Sequence, residues 1–300
     1  MKKILVRSLS GAIFVAIIVV SIYLGQWIGN RAVGEIVFAV VMSTVGIIGI
    51  HEAVSNLHKS GRHVNRALSY IMAAVVFAIF IAMYIFVIID NTCYDDVHLR
   101  SDPYDGTMIS MVLSAIFFFL APTITLIIEL FRDEKEPFAS VGHTLTSTVW
   151  VVIPMISLMA IHSDNHRMLM LLFILVWVND TFAYLTGMLL GRHKLWERHS
   201  PNKTWEGTIG GVVFCMAAAV ILGPMIGGST FQPHEWPLLA AIGLMTGTVG
   251  TLGDLVESMF KRSCGIKDSG NIMPGHGGIL DRFDSILATA PFMLIIVILM

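Results

Sequence analysis

The chain has 300 residues, of which 55% are hydrophobic and 13% charged, with a formal net charge of −2 at pH 7 and a mean hydropathy of +0.77. These values exclude an ordinary soluble globular domain and point to an integral membrane protein with no nucleic-acid partner. Cys93, Cys215 and Cys264 are far apart and lack CxxC or Cys/His spacing, which argues against a zinc site or a disulfide framework.

Runs of about 20 apolar residues, the length needed to cross a bilayer as helix, occur nine times. They cover residues 8–29, 33–54, 67–89, 107–130, 140–161, 168–188, 207–228, 237–258 and 284–300. The expected fold is therefore all-α and polytopic, about nine transmembrane helices in a single membrane domain spanning 1–300. Lys2, Lys3 and Arg7 precede the first run, which is read as an uncleaved helix rather than a signal peptide because no small-x-small cleavage site follows it.

With a cytoplasmic N-terminus, Lys2, Lys3, Arg7, Lys59, Arg62, Arg66, Arg132, Lys135, Arg192, Lys194, Arg198, Lys203, Lys261, Arg262, Lys267 and Arg282 fall inside. Only Arg31, Arg100 and Arg167 fall outside, so 16 of the 19 cations obey the positive-inside bias. The loop 90–106 is then external and acidic. Trp27 and Trp236 lie near the outer interface, and Trp196 and Trp205 near the inner one, as aromatic anchors do. Gly187 with Gly191, Gly207 with Gly211, Gly223 with Gly227 and Gly243 with Gly247 form small-xxx-small pairs that favour close helix packing.

Polar chemistry is concentrated at the inner ends of three spans. Asp180 lies within the sixth span, where a charged group costs about 2.5 to 3.5 kcal/mol, so it is expected to face a polar cavity or a partner. Ser200 and Pro201 read as the N-cap and first residue of the seventh helix, with Lys203, Thr204 and Glu206 following. A helix start beside Lys203 suits an anion. At the end of the eighth span Asp254 and Glu257 are three residues apart and share a helix face, with Lys261 one turn on. Asp281 and Asp284 repeat that arrangement at the start of the ninth. Five acids near the inner interface suit Mg²⁺. The segment 258–285 between these helices adds Arg262, Lys267, His276 and Arg282 to a glycine-rich turn, whose closely spaced N–H groups can nest anions. It is neither a Walker A loop nor a dinucleotide fingerprint. His51, Glu52 and Glu129 could line the same cavity, but are read first as interfacial groups.

The same segment resembles the signature of the phosphatidate cytidylyltransferases (CDP-diacylglycerol synthases). The likeness rests on Ser258, Lys261, Arg262, Lys267, Asp268, Pro274, His276, Gly277, Gly278, Asp281, Arg282 and Asp284, and extends to Asp180, Ala183, Tyr184 and the run Ser200 to Gly207. It covers roughly the C-terminal 130 residues. Asn179, Phe182 and Asn202 depart from the bacterial pattern without touching the acids. The resemblance implies transfer of CMP from CTP to phosphatidic acid, giving CDP-diacylglycerol and pyrophosphate, at the cytoplasmic face of a bacterial inner membrane. It implies Mg²⁺, one ion or two. Asp254 and Asp281 would be the metal carboxylates, with Asp180, Glu257 and Asp284 as supporting or alternative ligands. Ser200, Lys203, Thr204, Lys261, Arg262, Lys267, His276, Gly277, Gly278 and Arg282 would contact the phosphates of CTP or lipid. A homodimer is compatible with the small-residue stripes. Two other readings are a transferase acting on a prenyl-type lipid phosphate and an ion-coupled transporter. The crowding of polar groups toward one face disfavours the latter.

Overall fold

The computed structural model describes residues 2–93, 103–227, 235–272 and 277–300, with side chains described from residue 9 onward and not over 87–107. His276, Arg100 and most of the loop 90–106 lie outside the described residues. Eight helices carry the described chain: α1 (Lys2–Trp27), α2 (Arg31–Lys59), α3 (Arg66–Cys93), α4 (Pro103–Leu130), α5 (Pro137–Leu190), α6 (Trp205–Gly227), α7 (Trp236–Ser263) and α8 (Leu280–Leu299). Each is long and apolar enough to cross a membrane. Helix is the form such runs take in lipid, because it satisfies every backbone N–H and C=O within the segment.

The nine apolar runs fall on eight helices because α5 holds two of them. At about 1.5 Å per residue its 54 residues would reach about 80 Å, far beyond a hydrocarbon core of about 30 Å. The break is at Asn165, whose φ of −148° and ψ of 91° leave the helical region. The Asn165 side chain accepts from the N–H groups of Arg167 (3.1 Å) and Met168 (3.3 Å), as the cap of a new helix does. The limbs 137–164 and 166–190 thus correspond to the runs at 140–161 and 168–188. Many large apolar side chains point outward, among them Phe119, Phe131, Leu189 and Met225, each at least 75% exposed. Such a surface belongs in lipid, and the molecule is an integral membrane protein.

Residues 1–164 and 269–280 form one compact unit, and residues 165–268 and 281–300 a second. In the first, Phe38, Met42 and Ile50 of α2, Phe80 of α3 and Met155 and Leu158 of α5 are fully buried. Its polar interior corrects the interfacial reading of Glu52 and Glu129, which are only 4% and 2% exposed. Glu129 is neutralised by Arg132 at 2.5 Å and accepts from Asn65 Nδ2 (3.1 Å) and Ser140 Oγ (3.2 Å). Asn65 in turn caps α3 through the N–H of Leu68. Glu52 is held by the segment 269–280. His51, by contrast, is exposed and paired with the hydroxyl of Tyr70 at 2.8 Å.

In the second unit α6 and α7 pack closely. At Gly243 and Gly247 an added side chain would run into the backbone of Met216 and Val212, so the small-residue pair permits the seam. Between α5 and α6 the chain forms an antiparallel hairpin, β1 (Lys194–Trp196) and β2 (Ser200–Thr204), pairing Lys194 with Thr204 and Trp196 with Ser200. This corrects the placing of the helix start. Ser200 and Pro201 are extended, and α6 begins at Trp205 with Thr204 Oγ1 accepting from the Gly207 N–H at 3.1 Å. Ser-Pro satisfies the local rules for a cap, but pairing with Trp196 takes Ser200 into a strand instead. Glu206 closes the hairpin base by accepting from the N–H groups of Arg192 and His193 and pairing with the His193 ring at 2.6 Å.

Candidate active site

The carboxylates of Asp254 and Glu257 on α7 and Asp284 on α8 each place an oxygen within 4.8 Å of the others. Their i, i+3 spacing puts the first two on one face of α7. Gly253 lets α8 approach that face, since a side chain there would meet the carbonyl oxygen of Asp284. Glu257 has a fully buried side chain; its Oε2 is paired with Lys261 at 2.5 Å, while Oε1 has no hydrogen-bond partner among the described residues. An unpartnered buried carboxylate oxygen beside two further acids is a donor set that fits a hard cation such as Mg²⁺.

Cations frame the cluster. Lys203, carried on β2, pairs with Asp254 Oδ2 at 2.6 Å and donates to the carbonyl of Thr251 at 3.4 Å. Lys261 also bridges to Asp281 Oδ1 at 2.8 Å, so the four-residue step from Glu257 and the start of α8 are tied together. Ser258 donates to Asp254 Oδ1 at 3.3 Å, and the N–H of Ser285 donates to Asp284 Oδ1 at 2.7 Å. Asp180, on the second limb of α5, is exposed and lies within electrostatic reach of Asp254, Lys203 and Arg282. The fields of Asp254 and Asp180 also reach Asp284, offset by Lys203.

Four of the five acids singled out in sequence, Asp180, Asp254, Glu257 and Asp284, therefore share one neighbourhood, and Asp281 joins it through Lys261. Arg262 is exposed, with its Nη1 donating to the Ile266 carbonyl beyond the end of α7. Lys267 and Arg282 are also exposed. Ser200 is half-buried and Thr204 buried in its capping role. Gly277 has a φ of +84°, a conformation that favours glycine, and Gly278 is buried. Sequence reasoning missed Thr251 as a partner of Lys203 and missed Asn56, and it read Glu52 first as an interfacial group. The signal for Glu52 was present, as an acid in an otherwise apolar run.

Comparison with known proteins identifies the family. The sequence pattern of the cytidylyltransferase family matches residues 5–300. A phosphatidate cytidylyltransferase of Staphylococcus haemolyticus (strain JCSC1435) is 43% identical over 163 residues, 54% of this chain and 61% of the relative. One from Staphylococcus aureus (strain COL) is 44% identical over 161 residues, 54% of this chain and 60% of the relative. The aligned stretch thus spans about three fifths of the length of these curated relatives. With the match of the family pattern running over nearly the whole chain, the chain belongs to the cytidylyltransferase family.

Proposed function

We propose that the protein transfers CMP from CTP to phosphatidic acid, releasing pyrophosphate and forming CDP-diacylglycerol, at the cytoplasmic face of a bacterial inner membrane. The observation that carries this reading is the carboxylate cluster Asp254, Glu257 and Asp284, flanked by Lys203 and Lys261 in a chain of this family. A phosphate monoester has its second pKa at about 6, so the attacking lipid oxygen is already largely ionised at neutral pH and needs little help from a base. That oxygen attacks the α-phosphorus of CTP; the new P–O bond forms as the bond to the β-phosphate oxygen breaks, and the electron pair leaves with pyrophosphate. The task of the protein is to bring two polyanions together and to neutralise the charge that moves onto the leaving group.

Mg²⁺ held by Asp254, Glu257 and Asp284 would supply charge neutralisation and a template for the phosphates. Asp281, which the resemblance places among the metal carboxylates, is engaged by Lys261 in this geometry, and Asp284 takes that place in our reading. Lys203 has an exposed face beyond its pair with Asp254 and can exchange that partner for a phosphate. Lys261 orients Glu257 and Asp281. Arg282 and Lys267, both exposed, are available to the triphosphate.

The test is incorporation of labelled CTP into a chloroform-soluble product by the purified protein with phosphatidic acid. The expected result is product that disappears with EDTA and returns with Mg²⁺. No product under any metal condition would overturn the proposal, and product only with a prenyl-type phosphate would transfer it to that acceptor.

A further inference from the structure

Glu52 lies in α2, far in sequence from the carboxylate cluster, and is 4% exposed. Its hydrogen bonds go to the segment 269–280. Oε2 accepts from Ser269 Oγ at 3.1 Å and from the Leu280 N–H at 3.0 Å, and Oε1 accepts from the Ile279 N–H at 3.0 Å. One helical turn on, Asn56 Nδ2 donates to the Ser269 carbonyl at 2.7 Å. Gly270 and Gly278 complete the fit, because a side chain at either would collide with the Glu52 carboxylate. One face of α2 therefore grips both described ends of the loop, 269–270 and 278–280. Gly277, which the resemblance assigns to phosphate contacts, directly precedes the gripped residues 278–280. Leu280 is also the first residue of α8, and its N–H is one of the orphan donors of a helix start, so the same carboxylate satisfies that start one residue before Asp281 in sequence.

A plain core residue does not account for this. An acid within a membrane helix carries a penalty that an apolar side chain of the same size avoids, and here its oxygens accept from Ser269, Ile279 and Leu280, at the two ends of one loop. We infer that Glu52 is a positioning residue for cytidylyl transfer, acting by clasping the ends of the loop 269–280. This rests on the function proposed above.

The experiment compares wild type with Glu52→Gln, which keeps the volume but turns a donor toward backbone N–H groups that need acceptors. Two readouts are taken on the full-length protein: hydrogen exchange of a peptide covering 277–283, and kcat and KM for labelled CTP. Exchange in that peptide should speed up at least 10-fold while peptides of α3 are unchanged, and kcat should fall at least 10-fold with KM for CTP altered less than 3-fold. Gly278→Ala, which pushes the loop off an intact carboxylate, should show the same two changes. Unchanged exchange in either variant, or fast local exchange with full kcat, would overturn the inference. General unfolding of both variants would do so too, by reducing Glu52 to a core residue. If wild type transfers no CMP, the proposed function fails while the exchange arm still decides whether the clasp exists.

Discussion

Lys261 stands between two acids that would otherwise face each other across α7 and α8, and it pairs with both. Its partners are nearly inaccessible, Glu257 at 0% and Asp281 at 7% side-chain exposure. Removing one partner of a buried ion pair costs about 3 to 5 kcal/mol, because the other charge is left without compensation. Lys261→Met should therefore lower the thermal unfolding midpoint in detergent by several degrees, and adding Glu257→Gln should recover part of the loss. The two roles available to acids here are separable by metal titration. Asp254→Asn and Asp284→Asn should each lower transfer by at least about 100-fold, the scale of losing one electrostatic stabiliser, and raise the Mg²⁺ concentration for half-maximal rate. Asp281→Asn should lower the rate without moving that concentration, since Asp281 acts through Lys261. An Mg²⁺ requirement that shifts with Asp281→Asn alone would return the metal to that residue. The acids themselves were legible in sequence, because charge is rare in apolar runs and i, i+3 spacing fixes a shared face. Their partners were not, because whether Asp281 meets a metal or Lys261 depends on how α7 and α8 cross.

At the scale of elements, the hairpin β1–β2 shows where local signals stop. Ser200-Pro201 satisfies the rules for a helix start, but the pairing of Ser200 with Trp196 and of Lys194 with Thr204 places five residues in a strand and moves the cap to Thr204. Two chain segments meeting across a turn leave no periodic trace in so short a stretch. Thr204→Val should cost about 1 kcal/mol, the usual value of a lost cap, seen as a lowered unfolding midpoint, whereas Thr204→Ser should keep it. The hairpin also carries Lys203, so its rigidity bears on substrate binding. Glu206→Ala removes the acceptor for Arg192 and His193 N–H groups and should raise KM for CTP several-fold with kcat little changed. A change confined to kcat would show that the hairpin serves the chemical step instead.

For the whole molecule, the apolar runs were readable because lipid imposes one backbone solution, and length alone then counts the spans. Asn165, by contrast, reads as an ordinary polar residue; that it both breaks and restarts α5 depends on its backbone conformation and its capping bonds to Arg167 and Met168. The membrane orientation inferred from 16 inner cations predicts that single cysteines at Arg192 and Lys267 react with an impermeant maleimide only in inside-out vesicles. One at Arg167 should react only in right-side-out vesicles, and the reverse pattern would invert the topology. The grip of Glu52 on Ser269 has a consequence for biogenesis. The two residues are 217 positions apart, and at about 5 to 20 residues per second the ribosome needs about 10 to 40 s to make the intervening chain. Until residues 269–280 are made, Glu52 lacks the donors that meet its carboxylate in the finished protein, an unfavourable state for an acid held away from water. Completion of the amino-terminal unit therefore waits for residues 269–280, so a chain stalled before residue 280 carries an unsatisfied acid that sets it apart from the finished protein.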